Sequence, residues 1–282
     1  MKQNYAVIGH PIGHTMSPFI HYELFKIQGL QVEYSVFDIE PSNLKNSLKT
    51  SLSELNGFNV TIPHKEAIIP FIDNIHPSAA KYNAVNCVLK KDGKLYGYST
   101  DAFGFTKALE NQNVKLEGKV LVLGAGGAAR TLAREAADKG CEITIAARQS
   151  GMQRASLLKE WLSEKTKATV TVTQIDNING NFNLLINATP VGMYPNPDAM
   201  PVSEETLCKC ESVFDAIYNP QETQLIASAK AHGLKVVGGM DMLVWQAVKA
   251  HEYWYGATFD ENDIDDVIER ANREMTRIFY EK

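Results

Sequence analysis

The chain has 282 residues, 44% of them hydrophobic and 22% charged, which is the composition of a globular protein with enough apolar material for a sizeable core. A formal net charge of −5 argues against a nucleic-acid partner, because phosphate neutralisation needs a basic surface. No apolar run reaches the ~18–20 residues that span a bilayer, so no membrane partner is expected. The segment Met1–Tyr5 passes straight into a strand-like stretch without a signal peptide's apolar core, and a cytoplasmic location is expected. Cys87, Cys141, Cys208 and Cys210 are too scattered for a disulfide framework, and Cys208 with Cys210 lacks the paired spacing of a zinc site, so no metal is expected.

In chain order, Tyr5 to Gly9 and Val32 to Asp38 read as strands, joined by an amphipathic helix running to Gly29 with Ser17 as N-cap and Pro18 at its first position. A second helix follows Pro41-Ser42. Gly57 to Ile62 reads as the next strand, stopped by Pro63. Ala84 to Lys90 and Lys94 to Tyr98 flank the turn pair Asp92-Gly93 and predict a hairpin, which makes the first sheet mixed. After about Phe105 the pattern changes to repeated strand–helix units. Lys119–Leu123 is almost wholly apolar, as suits the centre of a parallel sheet. Further strands are expected at 142–146, 170–173, 183–187, 212–217 and 235–237, then helices at 242–253 and 261–279. The class is α/β: a mixed-sheet domain of residues 1–104 plus 238–282, to which the last helices return, and a doubly wound domain of residues 105–237.

The doubly wound half carries a specific motif. Gly124-Ala-Gly-Gly-Ala-Ala-Arg130 follows an apolar strand and opens a helix, the setting in which a G-x-G-x-x-A pattern binds a dinucleotide. Gly124 permits the tight turn, Gly126 lets the backbone approach a pyrophosphate, and Ala129 allows close helix–strand packing. Ala125, Gly127 and Ala128 complete the cradle, where helix N-terminal amides meet the phosphates. The next strand ends at Arg148, where an NAD enzyme typically places an acid, and a guanidinium favours the 2′-phosphate of NADP. Arg154 either assists there or is an ordinary exposed helix arginine.

Polar groups gather at the strand ends of the first half. Lys65 lies just past a strand, Asn86 interrupts an otherwise apolar one, and Ser99-Thr100-Asp101 closes the hairpin. Open α/β sheets bind ligands beyond their strand ends, and several hydrogen-bonding groups at such an edge suit a small polyhydroxylated substrate. A plain ion pair is the alternative for Lys65 and Asp101.

The stretches Gly9-His-Pro-Ile-Gly-His-Thr-Met-Ser-Pro18, Asn59-Val-Thr-Ile-Pro-His-Lys65, Ala84-Val-Asn-Cys87, Ser99-Thr-Asp-Ala-Phe-Gly104, the glycine turn, Asn187-Ala-Thr-Pro-Val-Gly-Met193 and Gly238-Gly-Met-Asp-Met-Leu-Val-Trp-Gln-Ala247 resemble, in order, the signature motifs of shikimate dehydrogenases. The resemblance implies reversible NADPH-dependent reduction of 3-dehydroshikimate in aromatic amino-acid biosynthesis, with Lys65 as catalytic lysine and Asp101 as its partner. It implies that Thr61 and Asn86 hold substrate hydroxyls, that Thr15, Ser17 and Tyr218 receive the carboxylate, and that Gln246 reaches the substrate from the returning helix. Gly239 and Met240 would flank the nicotinamide, and Thr189 and Val191 would line the cofactor cleft. A homodimer stays open.

Two departures from the family pattern bear on specificity. Thr15 stands where a serine is common, adding a methyl that narrows the carboxylate pocket and leaves quinate as an alternative substrate. Ala147-Arg148-Gln149 keeps the arginine but loses polar neighbours, which leaves NAD use open. A dinucleotide-sensing protein without catalysis is the alternative from another class. His10 is read as structural, His14 and His64 chiefly as backbone hydrogen-bonders despite their place inside motifs, and Trp245 as packing.

Overall fold

A computed structural model describes residues 3–13 and 15–281; His14 lies outside them. The chain forms two compact units, Met1–Gly104 with Val244–Ala271, and Phe105–Leu243 with Asn272–Lys282. Each is built on a six-stranded sheet. No helix among the described residues is long and apolar enough to cross a membrane.

The first unit contains β1 (Gln3–Gly9), β2 (Val32–Asp38), β3 (Gly57–Val60), β4 (Asn74–Ile75), β5 (Cys87–Lys91) and β6 (Lys94–Tyr98), in the order β2-β1-β3-β5-β6-β4. β1 pairs in parallel with β2 and β3, whereas β5 runs antiparallel to β3 and to β6, so the sheet is mixed as expected. Asp92 and Gly93 adopt φ of 52° and 73° in the hairpin turn, where Asp and Gly tolerate the left-handed region best. The strand read to Ile62 ends at Val60, and Ile62 is exposed. Asn86 lies one residue before β5 yet stays in the ladder: Asn86 N donates to Tyr98 O (3.0 Å) and Val60 N to Asn86 O (2.9 Å). β4 is too short to show periodicity, and its pairing with β6 is purely tertiary.

Ser17 is not the N-cap of its helix. The helix is Ser17–Ile27 with Met16 at the cap position and no side-chain cap bond; Ser17 is already its first residue, and its amide donates to Thr15 Oγ1 at 3.1 Å. This helix and the segment from Val244 onward cover one face of the sheet, where Tyr5, Phe25, Cys87, Ala250 and Trp254 form a core. Trp254 Nε1 donates to Val88 O at 3.0 Å across Gly57, where an added Cβ would come within 2.8 Å of that nitrogen. Ala6, Ile8, Phe58, Val60 and Val88 fill the other face.

The second unit contains β7 (Lys119–Leu123), β8 (Glu142–Ala147), β9 (Val170–Gln174), β10 (Leu184–Asn187), β11 (Ser212–Asp215) and β12 (Lys235–Val237), all parallel, in the order β12-β11-β10-β7-β8-β9. The apolar run of β7 is explained by burial on both sides. Val120 and Val122 pack with Leu132, Ala133 and Leu158, and Leu121 and Leu123 with Leu185, Leu207 and Leu225.

Two buried histidines sit together in the first unit. His21 Nδ1 lies 2.9 Å from His251 Nε2, and His251 Nδ1 lies 3.2 Å from Gln28 Oε1. With the Gln28 oxygen accepting, His251 carries its proton on Nδ1, and His21 donates to its Nε2. Burial pushes His251 down to about 3, and burial plus the neighbouring ring hold His21 well below the usual histidine range. A base with a depressed folded pKa stabilises the fold above its unfolded value and loses that contribution as pH falls below about 6.5. The loss of unfolding free energy between about pH 7 and pH 5 should therefore be about 2 kcal/mol smaller for His251→Gln than for wild type, measured by urea unfolding. Equal losses would show the imidazole to be protonated in the folded protein.

Candidate active site

The carboxyl ends of the first unit's strands bring a chain of polar groups together. Lys65 leaves the end of β3 in a short helix, His64–Ala67, and its carbonyl accepts from Val85 N at 2.8 Å, which fixes the backbone from which the ammonium projects. Lys65 Nζ donates to Asp101 Oδ2 at 2.6 Å; the lysine side chain is 26% exposed and the aspartate 7%. Asp101 Oδ1 accepts from Asn86 Nδ2 at 2.7 Å. The same amide nitrogen has Thr100 Oγ1 at 3.0 Å and Gln246 Oε1 at 3.2 Å, and Asn86 Oδ1 accepts from Thr100 N at 2.8 Å. Two amide hydrogens thus face three oxygens, so one of the three remains available for an incoming hydroxyl.

A second polar run begins at Thr15 and Ser17. Thr15 Oγ1 accepts from Ser17 N and donates to Ser17 Oγ, both at 3.1 Å. Ser17 is hydrogen-bonded to Tyr34, whose hydroxyl donates to Asn59 Oδ1 at 2.8 Å, and Asn59 Nδ2 donates to Asn86 O at 3.3 Å. Burial raises Tyr34 well above the usual phenol range, with Cys87 acting in the same direction and Ser17 against it. The structure therefore joins Lys65, Asp101, Asn86, Gln246, Thr15 and Ser17 into one hydrogen-bonded edge. Thr61, the first residue after β3, is half-buried there, with its amide on Ile8 O at 2.9 Å.

Tyr34 and Asn59 were not singled out from the sequence. Asn59 stands inside a quoted motif, whereas Tyr34 looks like an ordinary strand aromatic and only the folded pairing reveals its role. His64 is fully buried with Nε2 donating to Ile39 O at 2.6 Å, and His10 pairs with Asp38 at 2.6 Å. Trp245 is buried, with its ring edge-on to Phe103.

The remaining sites lie in the second unit. Gly124 follows β7 with φ of +93°, and an added Cβ there would meet Thr189 Cγ2 at 2.9 Å, so glycine is required. Gly126, Gly127 and Ala128 are exposed, nothing stands within 4 Å of a Cβ built at Gly126 or Gly127, and Ala125 is half-buried. The helix Gly127–Asp138 begins here, its first internal bond running from Arg130 N to Gly126 O at 3.0 Å. The amides before it are open to an anion. Ala129 is fully buried against the sheet. Arg148 and Arg154 are exposed beyond the end of β8. Thr189 and Val191 are half-buried after β10; Gly239 and Met240 are buried at the start of the helix Gly239–Tyr255. Tyr218 also belongs to this unit, with its hydroxyl raised by burial. These residues fit a dinucleotide: an open glycine cradle, free helix amides, and an exposed guanidinium at the second strand.

A parallel sheet with a dinucleotide turn, joined in one chain to a unit presenting a half-buried lysine on a buried aspartate, defines an oxidoreductase of the nicotinamide-dependent class. Residues 7–88 match the family model described as shikimate dehydrogenase substrate binding domain. The chain is 38% identical over 275 residues, 96% of its own length and 97% of the relative's, to shikimate dehydrogenase (NADP(+)) of Caldanaerobacter subterraneus subsp. tengcongensis. Its structure resembles the crystal structure of shikimate 5-dehydrogenase from Thermus thermophilus in complex with NADP(H) and shikimate, with a TM-score of 0.85 and 35% identity over 95% of this chain and 99% of that one. It also resembles the Listeria monocytogenes shikimate 5-dehydrogenase in complex with shikimate and NAD, with a TM-score of 0.84 and 29% identity over 95% and 96%. The chain belongs to the shikimate dehydrogenase family.

Asn86→Ala would strip Asp101 Oδ1 and Thr100 N of a buried partner. The expected cost is about 2–4 kcal/mol in urea unfolding. An unchanged midpoint would show both groups to be satisfied without Asn86.

Proposed function

We propose that the protein is a shikimate dehydrogenase that reversibly reduces 3-dehydroshikimate to shikimate with NADPH, in the supply of chorismate for aromatic amino acids. The observation that carries this reading is the 2.6 Å Lys65–Asp101 pair, held through Asn86 to Gln246 at a strand edge lined with hydroxyl and amide groups. The unit of Met1–Gly104 with Val244–Ala271 takes the substrate, and the other unit takes the cofactor. Asn86, Thr61 and Gln246 bind ring hydroxyls; Thr15, Ser17 and Tyr218 receive the carboxylate.

Bound NADPH supplies the hydride chemistry. The chain's own part is electrostatic and proton-donating: as negative charge develops on the carbonyl oxygen, the Lys65 ammonium stabilises it and donates a proton to it. Asp101 aims the ammonium and, nearly buried, keeps the pair at one geometry. Gly124, Ala125, Gly126, Gly127 and Ala128 cradle the pyrophosphate, Arg148 pairs with the 2′-phosphate, Thr189 and Val191 line the cleft, and Gly239 with Met240 borders the nicotinamide. The protein works in the cytoplasm, with the homodimer as the assembly to test by sedimentation.

Purified protein offered shikimate or quinate with NADP+ or NAD+ should turn over shikimate with NADP+ fastest, measured as formation of reduced nicotinamide. NADPH binding without turnover of either acid would favour the sensor. Lys65→Met should lower kcat by about 10²–10⁴ and leave both KM values nearly unchanged. Arg148→Ala should raise the KM for NADP+ about tenfold or more while sparing NAD+. Equal weakening of both cofactors would remove Arg148 from 2′-phosphate recognition.

A further inference from the structure

The second unit buries a carboxylate that none of the roles above uses. Asp215 ends β11 with no exposed surface. Its Oδ1 accepts from Asn187 Nδ2 at 3.0 Å and from Ile217 N at 3.1 Å, and its Oδ2 accepts from Thr223 Oγ1 at 2.7 Å. None of these three donors is cationic. A carboxylate buried without a counter-charge is a costly way to join neutral groups, unless an acceptor with two oxygens is what the site requires.

Each donor leads to a segment of the cofactor face. Asn187, fully buried at the end of β10, accepts through Oδ1 from Thr189 N at 3.1 Å and Thr189 Oγ1 at 2.7 Å, and Val191 N donates to Thr189 Oγ1 at 3.2 Å. The loop 187–191 is therefore wound around one amide, and Thr189 Cγ2 is the atom that a Cβ on Gly124 would strike at 2.9 Å. Ile217, whose amide Asp215 holds, gives its carbonyl to Gly239 N at 3.2 Å, and a Cβ on Gly239 would lie 2.5 Å from Ala216 O. Thr223 caps the helix Gln224–Ala231 by accepting from Ile226 N at 3.2 Å, which anchors the far end of the 215–223 turn.

We infer that Asp215 is a positioning residue for the cofactor, holding the Thr189–Val191 loop against the Gly124 turn and the 215–217 turn under Gly239 and Met240. The inference rests on the reading of those residues as the cofactor face. It makes cofactor affinity depend, more than substrate affinity does, on a side chain that touches neither ligand.

NADPH binding followed by nucleotide fluorescence, with shikimate binding followed separately by calorimetry, tests this without reference to turnover. Asp215→Ala should weaken NADPH about tenfold or more and shikimate, which meets this segment through Tyr218 alone, by about threefold at most. Asp215→Asn keeps the shape and one acceptor oxygen for Asn187 and Ile217, and should restore NADPH affinity to within about threefold of wild type. Wild-type NADPH affinity in folded Asp215→Ala, or parallel loss of both ligands, would overturn the inference. Should Asp215→Ala fail to fold, a cycle of Thr223→Val, which takes the donor from Asp215 Oδ2, with Thr189→Val, which takes the hydroxyl from Asn187 Oδ1, decides through NADPH affinity. Coupling between the two substitutions is expected, and strict additivity overturns the link. A wild-type chain that binds NADPH but oxidises no shikimate would sink the catalytic reading alone, because the affinity ratios still judge Asp215.

Discussion

Asn86 is the constraint on which the first unit's chemistry depends. Its carbonyl oxygen accepts from the Thr100 amide, its amide nitrogen reaches Asp101, Thr100 and Gln246, and its backbone carbonyl accepts from Val60 and Asn59. One residue thereby fixes, through its side chain, the start of the helix Asp101–Asn111 and a residue 160 positions away, and through its backbone the start of β5. Lys65 is held at one remove, through Asp101. An ammonium on a flexible four-carbon stem is a poor positional device by itself; a carboxylate held through its other oxygen makes it a good one.

The two units solve the same physical problem in the same way. A sheet presents functional groups beyond its strand ends only if the irregular chain there is held, and loops have no ladder to hold them. In the first unit a buried amide replaces the ladder; in the second, Asp215 and Asn187 do so together. Both hubs sit at a strand boundary, at Asn86 just before β5, and at Asp215 and Asn187 ending β11 and β10. Glycines are demanded at the same edge for a complementary reason, since Gly124 and Gly239 each lie where a Cβ would collide with the segment the hub positions.

Much of this was legible in the residues, and the parts that were not share a cause. The hairpin at Asp92-Gly93, the doubly buried β7 and the glycine turn are local patterns, each decided within a few positions by turn geometry or burial. Ser17 lies inside the helix and not at its cap because the helix starts one residue earlier, with the Ser17 amide on Thr15 Oγ1, a bond that propensity does not record. β3 was read two residues too long because Ile62 is apolar yet exposed. The polar partners were the least visible. Tyr34 and Asn59 are 25 residues apart, and Asn187 and Asp215 are 28 apart, so nothing in either neighbourhood announces the bond. The one available signal was chemical: Ser212-Val-Phe-Asp215 is an apolar strand ending in a carboxylate, and such a group, once buried, needs partners.

The proposal of Lys65 as proton donor also agrees with where the other bases are placed. His21 and His251 are bonded to one another in an aromatic cluster, with burial keeping both uncharged. His64, adjacent to Lys65 in sequence, is fully buried and spends its proton on Ile39 O. His10 is tied to Asp38. None of these rings joins the hydrogen-bonded edge around Asn86. Lys65 is the cation in that network among the described residues, and its 26% exposure leaves it a route to water, whereas Asp101 at 7% has little. A group that must give up a proton at each turnover has to recover one from solvent, and the group that aims it has to stay still. The difference in burial between the two side chains supports the proposed division of those tasks.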